Sequence, residues 1–288
     1  MDQHMIAAGG LAARVSADGA ELQSLQNGGG HEFLWQAGPA WPRHAPNLFP
    51  IVGRLVGDTL RHRGRTYRLT QHGFARDRRF AWAERGTNAC RLTLTDDAET
   101  RDKYPFPFRF EVAYAAEADT LGITYTIVNT GEKMLPASMG AHPAFRWPLA
   151  DGIAKDAHVL EFSDAEPAPV RRLAGGLLKP DLVPSPIAGR KLRLDEKLFL
   201  DDALILDHPA SKSVRFTAPG APGLEISWEG FAELGIWMKP GADFLCIEPW
   251  CGYASPVGFD GEFADKPGLL LIPPGEHRTA THRMRLLG

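Results

Sequence analysis

Apolar and polar residues alternate with a period of two along much of the chain. In Leu121-Gly-Ile-Thr-Tyr-Thr-Ile-Val-Asn129 the apolar positions Leu121, Ile123, Tyr125 and Ile127 face one way, the pattern of a half-buried strand. The same reading predicts strands at Leu11 to Val15, Ala20 to Leu25, Phe33 to Trp35, Thr66 to Leu69, Ala89 to Leu94, Phe108 to Ala115 and His158 to Phe162. It continues with Leu204 to Leu206, Ser213 to Thr217, Leu224 to Trp228, Gly268 to Ile272 and Arg278 to Leu286. Phe244 to Ile247, bounded by Gly241-Ala242-Asp243 and Pro249, reads as a buried strand closed by Glu248. No amphipathic helix longer than about three turns is visible, and there is no strand–helix alternation of the kind a parallel sheet requires. The expected fold is all-β, a large antiparallel β-sandwich forming a single domain over residues 1–288.

Two stretches depart from this pattern. Pro39 to Gly57 carries Trp41, Pro42, Pro46 and Pro50, and Glu166 to Arg190 is rich in Pro and Gly. Both read as long connections, and long ordered connections are often where binding lives. Neither resembles a flexible linker, so no domain boundary is placed there.

Composition narrows the classes. With 44% apolar and 23% charged residues the chain can build a sizeable core. The 32 basic and 35 acidic side chains leave a net charge of -3 with no long run of either sign, which favours neither nucleic acid nor an anionic membrane as partner. No window approaches the ~18 apolar residues of a membrane span, and the start has no secretory pattern, so a soluble cytoplasmic protein is expected. Cys90, Cys246 and Cys251 are too few and too widely spaced for a disulfide framework, and Cys246 with Cys251 does not match the usual zinc spacing.

Four polar residues stand in contexts that suit chemistry. Glu248 follows a buried apolar run with Trp237, Trp250 and Tyr253 nearby, and a partly desolvated carboxylate has a raised pKa suited to proton exchange. Pairing with a neighbouring Lys or Arg is the alternative role. His142, in Gly140-Ala-His-Pro-Ala-Phe145, is pushed toward extended geometry by the following Pro among small and apolar neighbours. His72 precedes Gly73, where a sharp turn is allowed, and Arg54 follows the apolar run Asn47 to Gly53. Each is also compatible with a structural role.

In combination these stretches resemble the aldose 1-epimerase (galactose mutarotase-like) family, its LacX-like branch more closely than galactose mutarotase. The matching segments are NLFPIVGRL from Asn47, HGFARDRRF from His72, GAHPAF from Gly140, LGIWMKPGADFLCIEPWCGYAS from Leu234, and IPPGEH from Ile272. The resemblance implies a β-supersandwich and interconversion of α and β sugar anomers by ring opening and closure, without a metal or organic cofactor. It implies Glu248 as base and His142 as acid, with His72, Arg54 and Trp237 binding the sugar. Asp202, beside Asp201, is the candidate for the family's substrate-gripping aspartate. Arg76, Arg78 and Arg79 follow His72 and could meet a phosphate on a hexose phosphate. Two other readings remain open at this point: a non-catalytic carbohydrate-binding or sugar-sensing protein on the same fold, and a metal-dependent sugar isomerase with His72, His142 and Glu248 as ligands.

Overall fold

The computed structural model describes residues 2–288, and among these the fold is all-β with antiparallel strand pairing. A nine-stranded sheet runs in the order Lys191–Arg193, Val159–Phe162, Ser213–Thr217, Gly223–Glu229, His277–Leu287, Thr120–Asn129, Phe108–Glu117, Ala89–Thr95, Ala81–Arg85. An eight-stranded sheet runs from Leu177–Val183 through Val170–Ala174, Leu204–Asp207, Glu233–Trp237, Phe244–Cys251 and Met139–Ala141 to Asn47–Leu48, with Ala144–Arg146 also paired to Phe244–Cys251. A three-stranded sheet near the start and two hairpin-sized sheets complete it. The two large sheets share one core: Phe110, Tyr125 and Ile127 from the first meet Leu234, Ile236, Leu245 and Ile247 from the second in a single buried cluster. The period-two pattern of Thr120–Asn129 is realised, with Leu121, Ile123, Tyr125 and Ile127 all buried.

Three expectations are corrected. Glu248 does not close its strand: Phe244–Cys251 runs on through Pro249, which stands opposite Leu234. Proline lacks a ladder donor, and the pairing to Met139–Ala141 stops at Gly140 opposite Trp250, one residue short of Pro249. Within Glu166 to Arg190, Val170–Ala174 and Leu177–Val183 form a hairpin turned at Gly175-Gly176, so the middle of that region is sheet and not connection. Phe33 to Trp35 is held by an isolated bridge between Leu34 and Phe145 instead of a regular strand. The Pro39 to Gly57 connection is irregular apart from Asn47–Leu48, as its prolines demand, and is ordered because Phe49, Ile51 and Leu55 reach the core. Phe49 stacks on Phe110 at 4.5 Å.

Phe244–Cys251 is buried along its whole length because both of its faces are covered. Leu245 and Ile247 turn toward the shared core, while Phe244, Cys246, Glu248 and Trp250 point to the opposite face. That second face carries the chemistry described next.

Candidate functional site

Glu248 and His142 are brought together by strand register. Met139–Ala141 and Ala144–Arg146 pair with Phe244–Cys251 in one common register on either side of His142-Pro143, which places His142 across from Glu248. His142 Nε2 lies 3.3 Å from Glu248 Oε2, and both side chains are almost wholly buried. Burial pushes the Glu248 carboxyl well above the usual carboxylate range. Burial, then the Arg76 charge, brings the His142 imidazole down to about 3. Both shifts favour a neutral pair that holds one proton, on the carboxyl, when no other group intervenes.

Small residues around this pair make room for it. Gly235 lies opposite Glu248 and Gly140 opposite Trp250, so the Trp250 ring spreads flat over backbone that has no side chain. A Cβ on Gly235 would meet Trp250 ring carbons at 2.3 and 2.4 Å, and one on Gly140 would meet the same ring at 2.6 Å. Trp250 thereby forms part of the floor of a cavity of about 250 Å³, with Trp41 and Trp237 in its walls. Trp41 stacks on the His142 ring at 5.1 Å and Trp237 meets it edge-on at 5.7 Å.

His72 reaches the cavity from an unusual backbone conformation, with φ of +65°. It is pinned twice to Gly53, its N–H donating to the Gly53 carbonyl at 2.8 Å while the Gly53 N–H donates to His72 Nδ1 at 3.2 Å. A ring nitrogen that accepts is unprotonated, so this network assigns the proton to Nε2, leaving a donor free for a ligand. Burial, with the neighbouring His142, holds the His72 pKa well below its ordinary value. The turn needs its glycines: a Cβ on Gly53 would lie 2.6 Å from Ala254 Cβ, and one on Gly73 2.3 Å from the Phe49 carbonyl oxygen.

Asp202 lines the same cavity, with φ of +70° stabilised where its Oδ1 accepts the Ala203 N–H at 2.7 Å and Arg172 donates to its carbonyl. Asp201 is exposed and lies outside the cavity wall. Arg54 is also outside it, turned away into a two-pronged ion pair with Asp58 at 2.7 and 3.2 Å. The guanidinium in the wall is Arg76. One of its terminal nitrogens donates to the Gln71 carbonyl at 2.8 Å, its Nε has no hydrogen-bond partner among the described residues, and burial lowers its pKa to about 10. The expected cluster of three arginines is dispersed: Arg78 pairs with Asp97 and Glu99, and Arg79 with Asp2 and Asp18. Sequence reasoning did not single out Trp41, because a tryptophan in a proline-rich connection gives no periodic signal of where its ring points.

The cavity thus gathers His72, His142, Asp202, Trp237 and Glu248 from the expected residues, and replaces Arg54 by Arg76. A carboxyl–imidazole pair on a rigid sheet, ringed by indoles and by Nε2–H and guanidinium donors, can move a proton between two oxygens of a polyhydroxylated ligand. Among the described residues no helix is long and apolar enough to cross a membrane.

The family model for aldose 1-epimerase matches residues 2–285. The LacX proteins of Lactococcus lactis subsp. lactis, plasmid and chromosomal, are each 31% identical over 276 residues, covering 92% of this chain and 92% of theirs. Among solved structures, a galactose mutarotase related enzyme from Lactobacillus acidophilus is 31% identical, with a TM-score of 0.91 over 99% of this chain and 97% of that one. A galactose mutarotase-like protein from Lactobacillus casei is 28% identical, also with a TM-score of 0.91, over 99% of both chains.

Proposed function

On the premise that the chain belongs to the aldose 1-epimerase family, we propose that it interconverts the α and β anomers of a hexose or hexose phosphate by acid/base opening and closure of the ring. The observation that carries this reading is the buried Glu248–His142 pair, 3.3 Å apart, with Glu248 on its strand and His142 in the break between the two strand pieces paired with it, at the base of an indole-walled cavity.

The pair needs one proton, and the reaction moves it back and forth. In the form that opens the ring, Glu248 is a carboxylate and His142 an imidazolium. Glu248 takes the proton from the anomeric hydroxyl while His142 gives one to the ring oxygen, and the ring C–O bond breaks as the carbonyl forms. This leaves the neutral pair, with the proton on Glu248, which is the form that burial favours in the sugar-free site. After the carbonyl end rotates, the ring-oxygen hydroxyl attacks it from the other face, giving its proton to His142 as Glu248 protonates the new anomeric oxygen. Starting this cycle from the neutral pair requires a proton to pass from Glu248 to His142. The sugar hydroxyls, the Asp202 carboxylate and the His72 and Arg76 donors would stabilise the resulting charges.

The test is the rate of anomer exchange, measured by saturation-transfer NMR across free hexoses and hexose 6-phosphates. Glu248→Gln and His142→Asn keep side-chain shape and should each lower kcat by roughly 10²–10⁴, the usual contribution of one general acid or base. Wild-type exchange rates in both folded variants would remove the assignment. Saturable sugar binding without acceleration would make the protein a carbohydrate-binding one on the same fold.

A further inference from the structure

Cys246 sits on the same strand and face as Glu248, two residues away, and has no part in the proton transfers above. It is fully buried beneath Trp41 and Trp237, and Ala144 directly across from it contributes only a methyl. His142 offers a ring nitrogen, Cys246 its Sγ and Glu248 a carboxylate oxygen, and these three atoms lie within 4.8 Å of one another. The sequence-derived alternative of a metal held by His72, His142 and Glu248 is not the set that the fold converges.

We propose that His142, Cys246 and Glu248 form a three-ligand site for a zinc-class divalent cation at the base of the cavity. Imidazole, thiolate and carboxylate are the donor types zinc takes, and three protein ligands with a fourth position open to solvent or ligand is a recurrent zinc arrangement. Tetrahedral bonds of ordinary length would set the nitrogen and the carboxylate oxygen about 3.4 Å apart, and the sulfur about 3.6 Å from the nitrogen. The nitrogen–oxygen separation found here is 3.3 Å, and the sulfur lies within 4.8 Å of both ligand atoms, so closing the site asks for an approach of the thiol.

A second observation points the same way. Apart from the His142 ring nitrogen 3.3 Å away, Glu248 Oε2 is buried with no polar group in hydrogen-bonding geometry among the described residues, although a buried polar oxygen ordinarily has a well-aligned partner. A cation would satisfy it. On binding, the Cys246 thiol and the Glu248 carboxyl would each release a proton to solvent; the resulting thiolate and carboxylate would together neutralise a divalent ion, and a neutral assembly is the form that a dry cavity tolerates. The Arg76 guanidinium borders the pair and opposes a further positive charge, so a site with fewer than two anionic ligands would not hold. A bound cation would engage the acid and base together and so compete with the sugar.

The test titrates reduced, chelator-stripped and desalted protein with Co²⁺, followed by displacement with Zn²⁺. The expected result is one ion per chain with a near-ultraviolet thiolate-to-cobalt charge-transfer band. Cys246→Ser should lose the band and weaken Zn²⁺ at least ~10-fold, a loss that even removal of an outer-shell partner can produce. Cys251→Ser, altering a buried cysteine outside the cluster, should keep the band. Should Cys246→Ser fail to fold, Glu248→Gln supplies the readout, again with Zn²⁺ weakened at least ~10-fold. Non-saturable binding, a wild-type band in Cys246→Ser, or unchanged zinc affinity in Glu248→Gln would overturn the site. The readout is metal affinity, so a failed mutarotation assay would remove the proposed function and leave this inference standing.

Discussion

Adding a single methyl at Gly235 tests whether the Trp250 floor matters to the chemistry. An ideal Cβ there would come within 2.3 Å of a Trp250 ring carbon, whereas carbons at rest lie about 3.5–4.0 Å apart. The indole must therefore lift by more than ~1 Å, and it lies in the sheet next to Glu248 with Gly140 directly beneath it. Overpacking of this kind costs about 1–3 kcal/mol. For a chain of this size that corresponds to a melting temperature lower by roughly 2–5 °C. The activity should suffer more, since a displacement near 1 Å can cost about 10²-fold in rate. The matched control is Gly122→Ala, where the new Cβ meets its nearest neighbour, the Ala115 carbonyl oxygen, at an ordinary 3.7 Å. It should be neutral or stabilise by up to ~1 kcal/mol, because alanine loses less backbone freedom on folding. Thermal melts and anomer-exchange rates of both variants decide the matter. A Gly235→Ala protein with wild-type melting and wild-type exchange would refute the role given to the floor.

Three further outcomes are expected. Burial pushes Glu233 up to about 7 from 4.5, against the Gly252 N–H and Lys266 that favour its charged form. The folded state then keeps a proton that the unfolded chain has released, so this contribution is full below about pH 4.5 and is lost as pH rises through 7. At ~1.4 kcal/mol per pH unit the loss approaches 3 kcal/mol, and urea denaturation at pH 5 and pH 8 should show Glu233→Gln without it. The Arg76→Gln variant should weaken sugar binding or turnover about tenfold or more, whereas Arg54→Gln, which removes only the exposed pair with Asp58, should change either by less than ~2-fold. The pH profile of kcat/KM should be broad, falling on the acid side only as His142 takes a second proton, near pH 3, and on the alkaline side above the usual carboxylate range. An acid limb near the ordinary histidine value would contradict the buried, neutral pair.

The half-buried strands were the legible part of the fold. Thr120–Asn129 and His277–Leu287 were readable because one face is wet and one dry, which writes the period of two into the residues. Glu233–Trp237 and Met139–Ala141 were not, since strands covered on both sides have no alternation to read. Pro249 concealed the second half of Phe244–Cys251 because a missing donor is tolerated only where the neighbouring ladder happens to stop, a fact of pairing and not of local sequence. For the site, Glu248 and His142 could be picked out from their surroundings, but their mutual register lay in the sheet. Arg54 and Arg76 were indistinguishable by local context: each has an acidic residue close by in sequence, and nothing there says that Asp58 claims Arg54 at 2.7 Å whereas Asp77 pairs with Arg43 at 2.8 Å and stands 3.9 Å from Arg76.

The nine-stranded sheet has an assembly consequence. Its left portion, built from residues 159–229, and its right portion, from residues 81–129, meet only through His277–Leu287, which lies between Gly223–Glu229 and Thr120–Asn129. A chain cut or stalled before residue 277 would leave two long, complementary strand edges open side by side. Such edges pair with whatever strand arrives first, another copy included. Solubility of this protein is thus expected to hinge on one late segment, and a peptide spanning residues 277–287 added in trans is the natural candidate to rescue a fragment that lacks it.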